Sequence, residues 1–352
     1  MARAALEHAR EEVAALFGTR PRQVIFTSGA TESINAAAFG VLAGGHGLRP
    51  GSAIVSDVEH SAVREASLRW AGSVVRLGCD RTGRIEPAEV SAALTARSTP
   101  DGRAAGDVGS VSLVQCQLAN HEVGTRQPVE AVAEECHLHG SLLHVDAAAA
   151  AGHVPIDFDG LGADLMSVSA HKLGGPKGVG ALLVRRGLRV TPFIQGGSQE
   201  RARRGGLENL AAAVGFAAAA AELAGGGLER EADTAVGLIA RLSAAASVVP
   251  GLEIYGPTDP ESRLPHLLCL GVEGVEAEPV LLGLDQAGIA AHSGSSCSSE
   301  SLEPSPVLQA MGVDAEHSLR LSVGWCTTEA DVDRAGSALA DVVGRLRAMR
   351  AG

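Results

Sequence analysis

Lys172 and Lys177 are the only lysines in a chain whose 29 basic residues are otherwise arginine. A bias toward arginine costs nothing at solvated sites. A Schiff base, however, needs a primary amine that can shed its proton, and a guanidinium cannot do this. Lys172 lies in Ser169-Ala-His-Lys-Leu-Gly-Gly-Pro-Lys177-Gly, where an apolar run ends in Ser, His and Lys and then turns through glycines. Three other apolar runs end on unusual residues. Ser28-Gly-Ala-Thr31 opens a helical pattern, so its free N–H groups suit a phosphate. It is not a Walker loop, because no Gly-Lys-Ser/Thr follows. Glu59-His60 offers an imidazole, which taken singly is most often structural. Leu143-His-Val-Asp146 ends on a carboxylate that is costly to bury unpaired. Asp146 is either a helix cap or the partner of a protonated ring nitrogen. Jointly the four ends supply a phosphate cradle, a flat side chain to stack on a ring, an acid for a ring nitrogen and an amine for an aldehyde. That is the donor set of pyridoxal 5'-phosphate (PLP), and the joint match is far more specific than any part.

The elements that must position these groups follow from periodicity. Strands are predicted at 23–27, 52–56, 74–77, 111–115, 142–145, 164–169 and 181–185, with helices at 2–17, 31–42, 61–70, 87–96 and 128–139. Strands alternating with helices of this length predict an α/β fold, a mostly parallel, doubly wound sheet whose ligand site lies beyond the carboxyl ends of its strands. Residues 97–109 read as loop. The second half shows helices at 208–224, 229–247 and 328–349 and strands at 266–272 and 318–323, a smaller α+β domain. The expected domains are 1–222, binding the cofactor, and 223–352.

The composition narrows the function classes. A net charge of -12 argues against nucleic acid or an anionic membrane as partner. No charged start followed by an apolar run marks a signal peptide, and 210–223 is too short to span a bilayer. The six scattered cysteines form no CxxC pair and read as cytoplasmic free thiols. Cys136-His-Leu-His139 lacks a fourth ligand at a fitting spacing, so no metal site is expected.

At these residues the chain resembles the class V aminotransferase-fold cysteine desulfurases, the NifS and IscS group, of PLP-dependent fold type I. The matching segments are Phe26-Thr-Ser-Gly-Ala-Thr-Glu-Ser-Ile-Asn35, Glu59-His-Ser-Ala-Val63, His144-Val-Asp146, Ser167-Val-Ser-Ala-His-Lys172, Gly174-Gly-Pro-Lys-Gly-Val-Gly180, Gly196-Gly-Ser-Gln-Glu200 and Ser293-Gly-Ser-Ser-Cys297. The resemblance implies that Ala30, Thr31, Ser169 and His171 hold the phosphate, that His60 stacks on the ring and moves protons, and that Asp146 binds the pyridinium nitrogen. It makes Lys172 the Schiff-base lysine and Arg320 the partner of the substrate carboxylate, a role that bidentate guanidinium geometry suits. Asn120 and His121 fall beside the substrate. Cys297, in a polar loop of the long-loop subgroup, becomes the persulfide-forming cysteine. L-cysteine is the implied substrate and a sulfur-acceptor protein the implied partner. A homodimer is implied, with active sites near the subunit interface.

Four departures accompany the match. The family usually begins with a segment ending in Ala-Thr-Thr-Pro. This chain begins inside the following helix, so about fifty residues are expected to be missing, set against the usual domain size. His121 stands where the family has Asn, Ala149 where it has a Gln that bonds the ring hydroxyl, and Leu207 where it has a Thr that reaches the partner's phosphate. Two other readings stay open: another PLP reaction on this fold, such as selenocysteine lyase or aminotransferase, and a degenerate, non-catalytic homologue acting as a binding partner. The acceptor is equally open among iron–sulfur cluster assembly, tRNA thiolation, cofactor synthesis and DNA modification.

Overall fold

The computed structural model describes residues 1–43, 50–96, 111–293 and 304–351. The chain forms two compact units: Met1–Leu77, Ile85–Leu118 and Gln127–Leu228 in the first, and Gly78–Arg84, Ala119–Arg126 and Glu229–Gly352 in the second.

The first unit is built on β1 (Val24–Thr27), β2 (Ser52–Ser56), β3 (Ser73–Leu77), β4 (Val111–Gln117), β5 (Leu142–Asp146), β6 (Leu165–Ser169) and β7 (Gly180–Val184), in the order β1-β7-β6-β5-β4-β2-β3. Pairs β2/β3, β2/β4, β4/β5 and β5/β6 are parallel, whereas β7 is antiparallel to both β1 and β6. Six strands therefore share one direction and β7 alone opposes them. Strands β1, β2, β6 and β7 are buried along their whole length, so they read as continuous apolar runs and not as alternating ones. On one face, α2 (Ala30–Leu42) and α3 (Ser61–Trp70) insert Ile34, Leu42 and Val63 against Ile25, Val55, Leu113 and Leu165. On the other, α1 (Ala2–Leu16) packs on α6 (Leu210–Glu222), and Phe216 meets Phe26 edge-on with ring centroids 6.5 Å apart. Helices α4 (Pro87–Ala96) and α5 (Val129–Leu138) pack on each other.

The second unit has an antiparallel sheet of β8 (Leu252–Tyr255), β9 (Leu267–Val272), β10 (His292–Ser293) and β11 (Ser318–Ser322), in the order β10-β11-β9-β8. Leu268, Leu270, Leu319 and Leu321 form one face, on which α7 (Leu228–Ser247), α8 (Ala277–Gln286) and α10 (Glu329–Ala351) close a core through Leu242, Leu284 and Val343. A short helix, α9 (Pro306–Ala310), precedes β11. The stretch Leu210–Ser247 is long and apolar enough to cross a membrane. Its backbone nevertheless breaks at Gly225 and Gly226, the latter at φ 88°, which separates α6 from α7. Buried residues of each half, Phe216 and Leu242 among them, belong to protein cores.

Candidate active site

Because β1 to β6 share a direction, their carboxyl ends fall along one edge of the sheet, where ligands of open α/β sheets sit. Register fixes the neighbours on that edge. Gln117 pairs with Asp146, Asp146 with Ser167, and Gly180 lies opposite both Ser169 and Thr27. Gly180 has to be glycine for a steric reason. A Cβ there would lie 2.5 Å from the Val168 carbonyl oxygen and 2.7 Å from the Gly29 Cα. The missing side chain lets the turn after β1 close onto the end of β6.

That turn runs into the thirteen-residue α2 through Gly29, an N-cap without a side-chain hydrogen bond. Its shape is held from outside. Glu32 accepts from the Ser28 N–H at 2.9 Å and pairs with Arg204, and the Thr27 and Ser33 hydroxyls lie 2.8 Å apart. Ala30 and Thr31 are the first two residues of α2, so their N–H groups belong to a helix terminus that carries partial positive charge. The Ser169 hydroxyl lies 3.7 Å from where a Gly29 Cβ would stand, and 2.9 Å from His171 Nδ1. Amides, hydroxyl and imidazole together make an anion cradle.

Lys172 and His171 sit on an exposed 3-10 turn, Ala170–Leu173, that ends on Gly174 at φ 85°. Partial burial, with Lys172 and Lys177 nearby, pushes the His171 pKa down. The turn following β5 packs directly on this one. A Cβ on Gly152 would meet the Leu173 Cβ at 2.4 Å, and the His153 ring hydrogen-bonds the backbone of Lys172. Burial holds the His153 pKa down to about 4, so the ring is neutral near pH 7. The sequence reading missed His153. Its signal was a glycine–histidine pair seven residues beyond the strand-ending aspartate.

His60 caps α3, its Nδ1 accepting from the Ala62 N–H at 3.0 Å, so the neutral ring carries its proton on Nε2. The segment before it is tied to the end of β4. Buried Glu59 accepts from the Gln117 N–H at 2.7 Å, and the Gln117 amide donates to the Val58 carbonyl at 2.9 Å. Gln117 thereby ties the segment that precedes His60 to the strand position opposite Asp146, a role that the sequence reading missed. Asp146 is 6% exposed, and its Oδ1 accepts from the Ala148 N–H at 3.0 Å. One step back along β5, His144 lies between Gln115 and Ser167 and is fully buried, which drives its pKa down to about 3. Gln115 Oε1 only accepts, so His144 Nδ1 carries the proton and Nε2 accepts from the Ser167 hydroxyl.

In the second unit Arg320 on β11 donates from Nη1 to the His121 carbonyl at 3.0 Å. Asn120 is fully buried, and its Oδ1 accepts from the Glu122 and Val123 N–H groups at 2.8 and 2.9 Å, so that oxygen holds its own loop together. Buried Glu122 accepts from the Ser305 hydroxyl at 2.5 Å. Cys269, across the strand pair from Arg320, is pushed up to about 12 by burial and by Glu122, which keeps it a thiol. Cys116 and Cys136 are buried, Cys136 with its pKa also raised to about 12, whereas Cys326 is exposed. Cys297 lies outside the described residues. Ala149 is half-buried in the turn beyond Asp146, and Leu207 is 85% exposed. The structure thus brings Ala30, Thr31, His60, Asp146, Ser169, His171 and Lys172 to one sheet edge of the first unit, and Asn120, His121 and Arg320 together in the second.

Residues 1–335 match the family model described as Aminotransferase class-V. A protein named cysteine desulfurase from Nostoc sp. is 38% identical, with 98% of this chain and 84% of that protein covered. The cysteine desulfurase IscS of Methanosarcina thermophila is 37% identical over 98% of this chain and 83% of its own length. Among solved structures, a NifS-like protein aligns with a TM-score of 0.82 at 31% identity, covering 98% of this chain and 89% of that one. DndA from Streptomyces lividans aligns with a TM-score of 0.72 at 32% identity, covering 91% and 88%.

Proposed function

The chain belongs to the class V aminotransferase family, and from that premise we propose that it is a PLP-dependent cysteine desulfurase. L-cysteine and the Cys297 thiol give L-alanine and a persulfide on Cys297, which an acceptor protein then takes. The observation that carries the reading is the shared sheet edge of α2's first turn, His60, Asp146 and Lys172. The residues present fit the cofactor. The Gly29–Gly180 approach leaves a cradle that a Cβ would fill, and the donors match a phosphate, a pyridine nitrogen and an aldehyde.

In this reading the Ala30 and Thr31 amides, the Ser169 hydroxyl and His171 bind the phosphate. Asp146, held by the Ala148 N–H, would accept from the ring N–H. His60 would stack on the ring, its Nδ1 engaged by the Ala62 N–H. PLP supplies, when bound, an electron sink at the carbon bearing the substrate amine. Lys172 Nζ would hold the cofactor's aldehyde and, when free, would move protons at the substrate carbon. Arg320 takes the substrate carboxylate from a position fixed by the His121 carbonyl. The Cys297 thiolate attacks the substrate sulfur, the C–S bond breaks, and the carbon receives a proton as alanine forms. A homodimer and a cytoplasmic location accompany this reading. Ala149 and Leu207 supply no polar group where the family has two, which favours the non-catalytic alternative as the second reading.

Ultraviolet–visible spectra of the purified protein, with and without L-cysteine, test both readings together with alanine assay and mass spectrometry of the Cys297 peptide. Alanine plus one added sulfur on that peptide supports the desulfurase. Bound PLP with neither product would hand the lead to the non-catalytic reading.

A further inference from the structure

The second unit holds a cleft of about 190 Å³ apart from the candidate active site. Ile254 of the edge strand β8, Val236 and Ile239 of α7, and Arg263 and Leu264 are among the residues that line it. At ~30 Å³ per water the space equals about six waters, room for a chain of a few carbons. Arg263 is 7% exposed. Its Nη1 donates to the Pro257 carbonyl at 3.2 Å and its Nη2 to the Leu267 carbonyl, while Nε has no hydrogen-bond partner among the described residues. The nearby Cys269 thiol is kept protonated by burial, so it supplies no counter-charge. The other deeply buried arginine among the described residues is handled differently. Arg10, 2% exposed, meets the Glu200 carboxylate through two hydrogen bonds of 2.7 and 2.8 Å. A buried cation without an anion is strongly unfavourable, so Arg263 marks a place where an incoming carboxylate gains more than it would in water.

We propose that this cleft binds a small monocarboxylate with a short hydrocarbon chain, the carboxylate toward Arg263 and the chain against Val236, Ile239, Ile254 and Leu264. Ligand sites of this kind are apolar with a few placed polar groups, and the half-buried Ser243 lining the cleft adds a hydroxyl. The inference is independent of the desulfurase reading.

Isothermal titration of hexanoate into the full chain tests it, with hexanol and acetate as controls for charge and chain. Hexanoate is expected to bind with Kd below about 1 mM, and each control at least about tenfold more weakly. Arg263→Gln should weaken hexanoate at least about tenfold. Because that variant can fail to fold, Ala240→Phe serves as the second. Ala240 is exposed and lines the cleft on α7, so the phenyl ring fills it while Arg263 stays in place. Loss of hexanoate binding with unchanged circular dichroism supports the proposal. Arg320→Leu should leave hexanoate binding intact, which separates this cleft from a carboxylate site at Arg320. No binding up to about 10 mM hexanoate overturns the proposal, as do hexanol binding as tightly, persistence in Ala240→Phe, or loss in Arg320→Leu.

Discussion

Gly180→Ala should damage stability and cofactor affinity together, and the reason is steric. Gly180 is in a strand conformation that alanine adopts freely, so nothing is lost through φ. The added methyl lies 2.5 Å from the Val168 oxygen, 2.7 Å from the Gly29 Cα and 2.9 Å from the Gly29 carbonyl carbon. Packed carbon atoms prefer ~3.5–4.0 Å, and all three obstacles are backbone, so no side-chain rotation relieves the clash. Overpacking of this kind costs about 1–3 kcal/mol. The freer partner is the Gly29 turn, and moving it displaces the Ala30 and Thr31 amides from the Ser169 hydroxyl. If half of the strain is released that way, PLP affinity falls by a few-fold to about tenfold, at 1.4 kcal/mol per decade. Gly140→Ala is the control. It has φ 69° and nothing within 4 Å of the new methyl, and it precedes β5 at the opposite end of the strand from Asp146. It should cost about 1–2 kcal/mol of stability through its left-handed backbone and leave the cofactor alone. The assays are urea midpoints of the apo-protein and PLP titration followed by absorbance. Unchanged PLP affinity in Gly180→Ala, or an equal loss in Gly140→Ala, would refute the cradle geometry.

Four further outcomes are expected. Lys172→Ala should abolish absorbance near ~420 nm from lysine-bound PLP, and borohydride reduction should label Lys172; a label on Lys177 would be contrary. Cys297→Ser should keep that absorbance yet lose sulfide release at least about a hundredfold, and full activity would remove the assignment's main support. Ala149→Gln and Leu207→Thr should each tighten PLP binding by up to about tenfold through a hydrogen bond of ~1 kcal/mol; no change in either would mean that these positions do not line the cofactor. Acid should destabilise the fold through His144, which in the unfolded chain takes up a proton near pH 6.5 but in the folded one not until about 3. Its stabilisation is therefore complete above that window and drains as pH falls through it, by about 1.4 kcal/mol per unit. His144→Leu should flatten the dependence of the urea midpoint on pH, and an unaltered slope would count against it.

The part of the site that could be read from the sequence was the part carried by consecutive residues. Ser52–Ser56 and Leu165–Ser169 are buried on both faces, so they stand out as apolar runs, and His60, Asp146 and Lys172 follow such runs directly. Pairings over long separations left no such trace. The reversal of β7, the grouping of 78–84 and 119–126 with the C-terminal unit, and the His153–Lys172 bond all depend on partners distant in sequence. Elements with weak patterns escaped as well: β8, the two-residue β10, α8 and α9. Glu200, Arg201 and Ala202 adopt φ of 47°, 57° and 61°, a left-handed run that no glycine announces; the Arg10–Glu200 pair and the Phe26 N–H hold its first residue.

The interleaved second unit has a consequence for synthesis. Residues 119–126 leave the ribosome long before the partners that complete them: Ser305 follows Glu122 by 183 residues and Arg320 follows His121 by 199. At roughly 5–20 residues per second this is an interval of about 10–40 s. During that time the Glu122 carboxylate, later buried, stays in water, and the sheet face awaiting Arg320 does not yet exist. A nascent chain stalled after α6 therefore already carries every strand of the first sheet but only fifteen residues, in two pieces, of the second unit. Conversely, a fragment beginning at Glu229 lacks the carbonyl that holds Arg320 and the Glu122 carboxylate that accepts from Ser305, so it should be less stable than the same segment in the full chain.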